Sequence, residues 1–217
     1  MLNAFGEQNW WPADSSFEVI IGAILTQQTT WKNVKKAITN LKNAGLLEPS
    51  LLYSIDLKSL EQLIKPSGFY RIKAQRLKNF LDYFIKEYEG KVEEMAQNAT
   101  LKIRNELLNI NGIGKETADS ILLYALNKEI FVIDEYTKRI FYRLGVIDTH
   151  DYEKLREIFE DSLREKVPTN TVNNFKEMHA LIVELGKNYC KKIPMCNSCP
   201  LFSSCQRRGV TNEYSWN

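Results

Sequence analysis

Apolar side chains recur every three or four residues along most of the chain, and this spacing predicts helices. A mostly apolar helix is predicted over residues 17–28 and an amphipathic helix over residues 31–43. Longer amphipathic helices are predicted over residues 71–88 and 171–189. Only residues 131–133, Phe-Val-Ile, have the composition of a strand, and so short a run does not argue for a sheet. The pattern therefore predicts an all-α protein.

The helix predicted over residues 71–88 has an apolar side and a basic side. Helical spacing puts Ile72 on the buried side, and it puts Lys73, Arg76 and Lys78 on the exposed side. A row of basic side chains can bind the phosphates of a nucleic acid. More often such a face is simply solvated, and the pattern alone favours that interpretation.

Residues 107–139 combine two helices, a tight turn and a single acid after an apolar run. The turn Asn-Gly-Ile-Gly contains Gly112 and Gly114, which allow a positive φ and a close approach to the backbone. A second helix is predicted to start near Lys115, and the acid is Asp134. Backbone N–H groups at the start of a helix bind anions such as phosphate. The alternative is a hairpin whose glycines only form the corner, and Gly-x-Gly alone does not decide between them.

All four cysteines lie within residues 190–205, whereas the cysteines of a disulfide framework are usually spread along the chain. Four thiolates so close together are typical of one metal centre. Zinc prefers repeated Cys-x2-Cys pairs, of which this chain has one, and an iron–sulfur cubane accepts one close pair with two outlying cysteines. From the residues alone, zinc and [4Fe–4S] are equally compatible. The predicted ligands are Cys190, Cys196, Cys199 and Cys205.

The balance of charge limits the partners that this chain can bind. It has 29 basic and 27 acidic residues and a net charge of +2, so a surface for DNA has to come from local patches.

No apolar run is long enough to span a bilayer, and the first residues lack the pattern of a signal peptide. With 44% apolar residues, the chain is expected to be a globular protein of the cytoplasm.

Three features together resemble the endonuclease III superfamily of helix-hairpin-helix DNA glycosylases. LNINGIGKETADSIL resembles the helix-hairpin-helix motif, and VIDEYTKR resembles the segment with the catalytic aspartate. The cysteine spacing resembles the iron–sulfur loop, although its first gap is one residue shorter than is usual. The resemblance implies two helical lobes: a helical barrel over residues 17–133, and a cluster-bearing lobe made of residues 1–16 and 134–217. It also makes a [4Fe–4S] cluster, bound by the four cysteines, the expected cofactor.

The resemblance assigns the catalytic role to Asp134, although this residue could also be only the cap of the helix that follows it. A carboxylate there would stabilise positive charge on the sugar and would orient or deprotonate a water molecule. Bifunctional members use a lysine on the helix after the hairpin, and in this chain Glu116 occupies that position. Lys115 should point elsewhere, because adjacent helical residues are about 100° apart. The expected chemistry is base release without cleavage of the strand.

The segments WWPADSSFEVIIGAILTQQTTWKNV and KPSGFYRIKAQRL look most like the 3-methyladenine DNA glycosylase III branch. By that similarity, Trp31 and either Trp10 or Trp11 would stack on the two faces of a flipped base. Alkylated purines such as 3-methyladenine are cationic, so aromatic faces and the negative charge of Glu116 would favour them. Trp31 could instead be a buried anchor of its own helix. Not every member of this branch keeps the cysteine loop, so the resemblance is to a cluster-bearing relative.

Excision from duplex DNA requires that the damaged base is flipped out and the gap is filled. Gln28 matches the glutamine that the family inserts, and Phe69 and Tyr70 match the loop that wedges against the opposite strand. Phe69 and Tyr70 could also simply cover the end of the core. A DNA phosphate would be held by the hairpin amides of Gly112, Gly114 and Lys115.

Three kinds of function follow from these assignments. The first is a monofunctional DNA glycosylase of base excision repair, acting as a monomer on double-stranded DNA that contains an alkylated purine. The second is a bifunctional glycosylase and AP lyase for oxidised pyrimidines, or a mismatch-specific glycosylase. The third is a non-catalytic DNA-binding or iron–sulfur redox module, and the presence of Asp134 speaks against it.

Overall fold

The computed structural model describes residues 1–210, and within that part of the chain the regular structure is helical, with no strand. This confirms the predicted all-α class. None of these helices is long and apolar enough to span a lipid bilayer. The α-helices are α1 (Leu2–Phe5), α2 (Ser16–Leu25), α3 (Trp31–Asn43), α4 (Pro49–Ser54), α5 (Leu57–Ile64), α6 (Tyr70–Tyr88), α7 (Val92–Gln97), α8 (Thr100–Leu108), α9 (Lys115–Ser120), α10 (Glu135–Leu144), α11 (Tyr152–Lys166) and α12 (Thr171–Asn188).

The helices belong to two compact units. The hairpin unit is Trp11–Glu129 and contains α2 to α9, together with a π-helical turn, Ile121–Ala125, that continues α9. The cysteine unit contains Met1–Trp10 and the chain from Ile130 onward, with α1 and α10 to α12. The two neighbouring tryptophans, Trp10 and Trp11, are therefore in different units.

Helix α2 is the central helix of the hairpin unit. The side chain of Ser15 caps it by accepting a hydrogen bond from the backbone N–H of Glu18, at 3.1 Å. Every residue from Phe17 to Leu25 is buried, and all of them are apolar except Glu18, whose carboxylate pairs with the Lys42 ammonium at 2.8 Å. It packs against α3, α6 and the π-helical turn. It ends at Leu25 rather than at the predicted Gln28, and the residues after Leu25 form a turn that carries Gln28.

The prediction for the N-terminal part of α6 was wrong at two positions. Ile72 is 55% exposed, whereas Lys73, which helical spacing puts on the solvated face, is only 1% exposed. The Lys73 ammonium is tolerated in the interior because it donates hydrogen bonds to two backbone carbonyls, of Leu25 and Ser67. Further along the helix Arg76 and Lys78 are half-buried rather than exposed. The prediction was right for the apolar side chains, and those that are buried are Leu77, Phe80, Leu81 and Phe84.

The extended segment Ile130–Ile133 in the cysteine unit is held by side chains instead of a neighbouring strand. The buried carboxylate of Glu160 on α11 accepts a hydrogen bond from the Phe131 backbone N–H at 2.9 Å. The Phe131 ring stacks on Phe159 and meets Phe175 on α12 edge to face, with ring centroids 4.7 and 5.6 Å apart. The apolar residues of this segment therefore pack against α11 and α12, and the residue that follows them, Asp134, is the N-cap of α10.

Candidate active site and DNA-binding elements

Asp134 is both the N-cap of α10 and a buried carboxylate. Its Oδ1 accepts hydrogen bonds from the backbone N–H of Thr137 at 2.7 Å and from the Thr137 hydroxyl at 2.8 Å. Its Oδ2 lies 3.6 Å from Nε2 of His179, on α12. Both side chains are almost completely buried. His179 was not predicted from the sequence, because nothing in the helical pattern of α12 distinguishes it from a core residue.

The surroundings of Asp134 set its protonation state. Burial by itself would raise the pKa of this carboxyl, but His179 and the hydrogen bonds from Thr137 outweigh that effect and lower the pKa below 3.8. Asp134 is therefore ionised at neutral pH. Because the folded-state pKa is lowered, this group stabilises the fold above pH 3.8, and the contribution is lost as the pH falls through the lowered value.

Trp10 lies in the cysteine unit beside this pair. The centroid of its ring is 5.9 Å from that of His179, with an angle of 41° between the planes. The ammonium of Lys187 lies over the Trp10 ring, 5.3 Å from the centroid. The π face of Trp10 thus already attracts a cation, which is the type of interaction proposed for a cationic base.

Trp11 and Trp31 meet in the hairpin unit. Their ring centroids are 5.1 Å apart and their planes are nearly perpendicular, at 87°. A base held between two parallel rings needs a separation of about 7 Å, twice a van der Waals contact. These two rings touch each other directly, so one of them would have to turn before they could enclose a base. Gly22 makes room for both rings, since an added Cβ there would lie 3.3 Å from Trp11 and 3.5 Å from Trp31.

The turn between α8 and α9 depends on Gly112. Its φ is +95°, and an added Cβ would lie 2.2 Å from Cγ of Arg76. No other residue fits there without displacing the Arg76 side chain. Gly114 is the N-cap of α9, and its extended backbone leaves the first N–H groups of that helix at the turn. The glycine turn that the sequence predicts is therefore present, with a different role for each glycine.

Polar side chains from α6 and from the turn after α2 hold this hairpin in place. The amide nitrogen of Gln27 donates to the Gly112 carbonyl at 3.1 Å and to the Thr117 hydroxyl at 2.9 Å. The Arg76 guanidinium donates to the side-chain oxygen of Gln27. Asn79 donates to the carbonyl of Asn111 at 3.0 Å. Gln27 was not predicted from the sequence, and Arg76 was considered only as part of a basic, solvated face. Their hydrogen bonds join segments that are distant in sequence.

Glu116 and Lys115 are both exposed in the first turn of α9. A negative charge at a helix N-terminus is favourable for the helix dipole, so Glu116 suits this position for structural reasons as well. Behind this exposed turn, Arg104 on α8 forms a buried ion pair with Asp119 on α9. The two distances are 2.7 Å from Nε to Oδ1 and 3.1 Å from Nη2 to Oδ2. This bidentate pair ties together the two helices of the hairpin.

Gln28 and Phe69 share an uncommon backbone conformation. Their φ angles are 54° and 46°, in the left-handed region that residues other than glycine rarely adopt. Both side chains are exposed, and Phe69 is 63% exposed. Such strain often accompanies a functional site. Tyr70, the first residue of α6, is only half-buried and has the Arg71 guanidinium 5.7 Å from its ring centroid.

The four cysteines line a single cavity of the cysteine unit, with a volume of about 30 Å³. Apolar side chains such as Ile140, Leu185 and Leu201 form much of its wall. In residues 1–210, no three His, Cys, Asp or Glu side chains are grouped as a single metal ion would require. The four thiols therefore line this cavity without converging on one point.

Basic side chains from α10 hold the chain around these cysteines. Arg143 donates to the carbonyls of Lys191 and Lys192 at 2.6 and 3.0 Å, and its Nη1 lies 3.4 Å from Sγ of Cys190. The backbone N–H of Arg207 lies 3.4 Å from Sγ of Cys205. N–H groups directed at sulfur favour the thiolate form at Cys190 and Cys205, whereas burial raises the pKa of the Cys196 and Cys199 thiols.

Comparison with known proteins identifies the family. Residues 21–165 match the HhH-GPD superfamily base excision DNA repair protein family. The chain belongs to this superfamily. It is therefore a DNA N-glycosylase, as the resemblance to the endonuclease III superfamily predicts.

Individual relatives agree with this assignment. A protein of Methanocaldococcus jannaschii, provisionally named a DNA repair glycosylase, is 51% identical over 208 residues, which are 94% of this chain and 92% of the relative. The crystal structure of Helicobacter pylori 3-methyladenine DNA glycosylase (MagIII) bound to 1,N6-ethenoadenine is similar, with a TM-score of 0.75 and 36% identity. That match covers 82% of this chain and 87% of the relative. A non-covalent endonuclease III–DNA complex has a TM-score of 0.76 and 25% identity, covering 95% and 90% of the two chains.

Proposed function

We propose that this glycosylase is monofunctional and removes alkylated, cationic purines such as 3-methyladenine from duplex DNA. The observation that carries the proposal is Glu116 in the first turn of α9. By the resemblance to the endonuclease III superfamily, bifunctional members have a lysine at this position. Without that amine, no Schiff base forms at this position and the strand stays intact. The similarity to a 3-methyladenine glycosylase bound to a modified adenine supports the choice of substrate.

Asp134 is the proposed catalytic residue. Breaking the N-glycosidic bond develops positive charge on the sugar, and an ionised carboxylate stabilises that charge. Oδ1 accepts the two hydrogen bonds from Thr137, so a water molecule or the sugar would approach at Oδ2, which lies 3.6 Å from His179 Nε2. A cationic base is already a good leaving group, so no strong general acid is needed to protonate it.

Aromatic faces and negative charge are the proposed means of substrate recognition. Trp10, Trp11 and Trp31 supply π faces, and a cationic ring stacks on such faces more strongly than a neutral one. Glu116 would add negative charge where a cationic base binds. Because Trp11 and Trp31 contact each other edge to face, we propose that base binding turns one of these two rings.

Contacts with DNA are assigned to the hairpin unit. We propose that Gln28 fills the space left by the flipped base, and that Phe69 and Tyr70 wedge against the opposite strand. The exposed, left-handed positions of Gln28 and Phe69 support this role. The N–H groups at the start of α9 would bind a phosphate of the damaged strand, through Gly112, Gly114 and Lys115.

The proposed cofactor is a [4Fe–4S] cluster bound by Cys190, Cys196, Cys199 and Cys205. Its proposed role is structural, since it would join the C-terminal loop to α10 through Arg143. Purified protein is expected to be brown, with the broad absorbance near 400 nm that thiolate-bound clusters show. Cys199→Ser should bleach this absorbance and lower the thermal midpoint. Colourless wild-type protein with one zinc per chain would refute the assignment.

The test of the proposed function is base release from methylated duplex DNA, separated by chromatography, with strand nicking scored in parallel. Free 3-methyladenine from strands that stay intact until alkali treatment is the expected result. Nicking at oxidised pyrimidines without release of methylated purines would favour the bifunctional alternative. Borohydride reduction separates the two, because only an enzyme that forms a Schiff base is trapped on the DNA.

Glu116→Lys tests the proposed recognition of charge. The substitution reverses the charge in the first turn of α9, and release of 3-methyladenine is expected to fall about tenfold or more. Release of an uncharged base such as 1,N6-ethenoadenine should fall much less. Glu116→Gln, which keeps the size of the side chain, serves as the matched variant and should have an intermediate effect. Undiminished release of 3-methyladenine by Glu116→Lys would contradict the proposed role.

A further inference from the structure

Lys73 is a buried cation of the hairpin unit that the proposed chemistry does not use. Its ammonium donates to the Leu25 carbonyl at 2.9 Å and to the Ser67 carbonyl at 2.6 Å. Burial, and then the charge of nearby Arg76, lower the pKa of Lys73 to about 8. The side chain is thus still mainly protonated at neutral pH, although a charge in the interior is unfavourable. A buried charge lowers the stability of the fold. The two carbonyls that accept hydrogen bonds from the Lys73 ammonium indicate what this residue does.

The two acceptors belong to the two segments that carry Gln28 and Phe69. Leu25 is the last residue of α2 and precedes the turn that presents Gln28. Its carbonyl has no partner within the helix, and a cation at a helix C-terminus is favourable. Ser67 ends the short turn that presents Phe69.

A third contact comes from the backbone of the same residue. The N–H of Lys73 donates to the Phe69 carbonyl at 3.0 Å, in the first turn of α6. Any non-proline residue at this position would form this helical hydrogen bond, so what the lysine itself adds is the bond from its ammonium to Ser67, two residues before Phe69. The same ammonium reaches the end of α2. These bonds connect two segments that are about forty residues apart in sequence and that both have strained, left-handed residues at their exposed tips.

We infer that Lys73 is a positioning residue that couples Gln28 to Phe69, so that the two side chains enter DNA as one rigid element. The inference rests on the proposed DNA-binding roles of Gln28 and Phe69. Two separate flexible side chains would each lose entropy on insertion, whereas a preorganised pair has lost it already on folding. Lys73 itself touches no DNA in this scheme, because it is almost completely buried.

A neighbouring lysine provides a matched control. Lys78, on the same helix, donates to the carbonyls of Leu52 and Tyr53 at 3.1 and 2.6 Å, and also to that of Ile55. Lys78 thus holds a chain segment in the same chemical manner, but that segment carries neither Gln28 nor Phe69. Lys73→Met and Lys78→Met both remove an ammonium that holds backbone carbonyls, and only the first should affect opening of the DNA.

The experiment uses a duplex with a tetrahydrofuran abasic analogue and 2-aminopurine opposite it. Insertion of Gln28 and Phe69 unstacks the 2-aminopurine and raises its fluorescence. For Lys73→Met, the rise at saturating protein is expected to be about fivefold smaller and the Kd about tenfold weaker, as loss of preorganisation implies. Lys78→Met should stay within about twofold of wild type. All variants are measured well below their thermal midpoints, and Lys73→Gln, which keeps an N–H donor, replaces Lys73→Met if that variant does not fold.

A double-mutant cycle separates coupling from general destabilisation. If Lys73 acts through Phe69, then adding Lys73→Met to Phe69→Ala should reduce the fluorescence rise by less than the two single effects predict. Additive effects, or equal effects of Lys73→Met and Lys78→Met, would overturn the inference. This assay needs no base release, so a failure of the proposed substrate in the methylated-DNA assay would leave its outcome unaffected.

Discussion

Asp134→Asn is expected to slow base release by about a thousandfold, the loss typical when a group that stabilises transition-state charge is removed. Asparagine has nearly the same shape and can also cap a helix, so it should keep the hydrogen bond from the Thr137 backbone. It cannot carry the negative charge that the sugar needs in the transition state. The measurement is single-turnover release of 3-methyladenine, with DNA affinity measured in parallel on an abasic duplex. Affinity should change little.

Asp151→Asn is the matched control for this experiment. Asp151 caps α11 in the same unit, and its carboxylate accepts a hydrogen bond from the Lys154 backbone N–H at 2.9 Å. The control therefore makes the same chemical change at another helix cap. Base release by Asp151→Asn should equal that of wild type. If Asp134→Asn retained more than about a tenth of the activity, Asp134 would be only a cap, and a different group would have to stabilise the sugar.

The second large effect is expected from breaking the ion pair between α8 and α9. The side chains of Arg104 and Asp119 are 9% and 0% exposed, so removing one partner takes away the bidentate counter-charge of a buried group. Arg104→Met should lower the free energy of unfolding by about 3–5 kcal/mol. The pair joins the two helices of the hairpin, so DNA affinity should also fall. Thermal and urea unfolding monitored by circular dichroism measure the loss.

Two further variants test the physical reason for this loss. The double variant Arg104→Met/Asp119→Leu removes both charges. It should recover much of the stability that Arg104→Met loses, because neither charge of this pair is left buried alone. Lys86→Ala breaks the surface pair with Asp82, whose side chains are 65% and 47% exposed, and it should cost less than about 1 kcal/mol. If the double variant lost as much free energy of unfolding as its two single variants together, side-chain packing, and not charge, would dominate at this site.

Much of this protein could be predicted from patterns that are local in sequence. Helical spacing gave the all-α class and most helices, and the two glycines marked the turn between α8 and α9. The resemblance gave the superfamily, which the comparison with known proteins confirms. The roles of Asp134, the aromatic residues and the cysteines stay predictions, and the experiments above test Asp134, Phe69 and the cysteines directly.

The errors and omissions share one cause, which is contact between distant parts of the chain. Helical periodicity predicted that Lys73 is exposed and Ile72 buried. In the structure, the carbonyls of Leu25 and Ser67 accept hydrogen bonds from the Lys73 ammonium, which lies in the interior. In the same way, His179 acquires its importance only because α12 brings it to within 3.6 Å of Asp134.

The sequence by itself determined which segments are helical, where the hairpin turns and where the four thiols are concentrated, because these depend on neighbours in the chain. Only the tertiary structure decided which polar side chains are buried and what they hold, as in the contacts of Gln27 and Arg76 with the hairpin. A buried polar group is stable only where partners satisfy its hydrogen bonds. Those partners come from other helices, so no local pattern of residues can specify them.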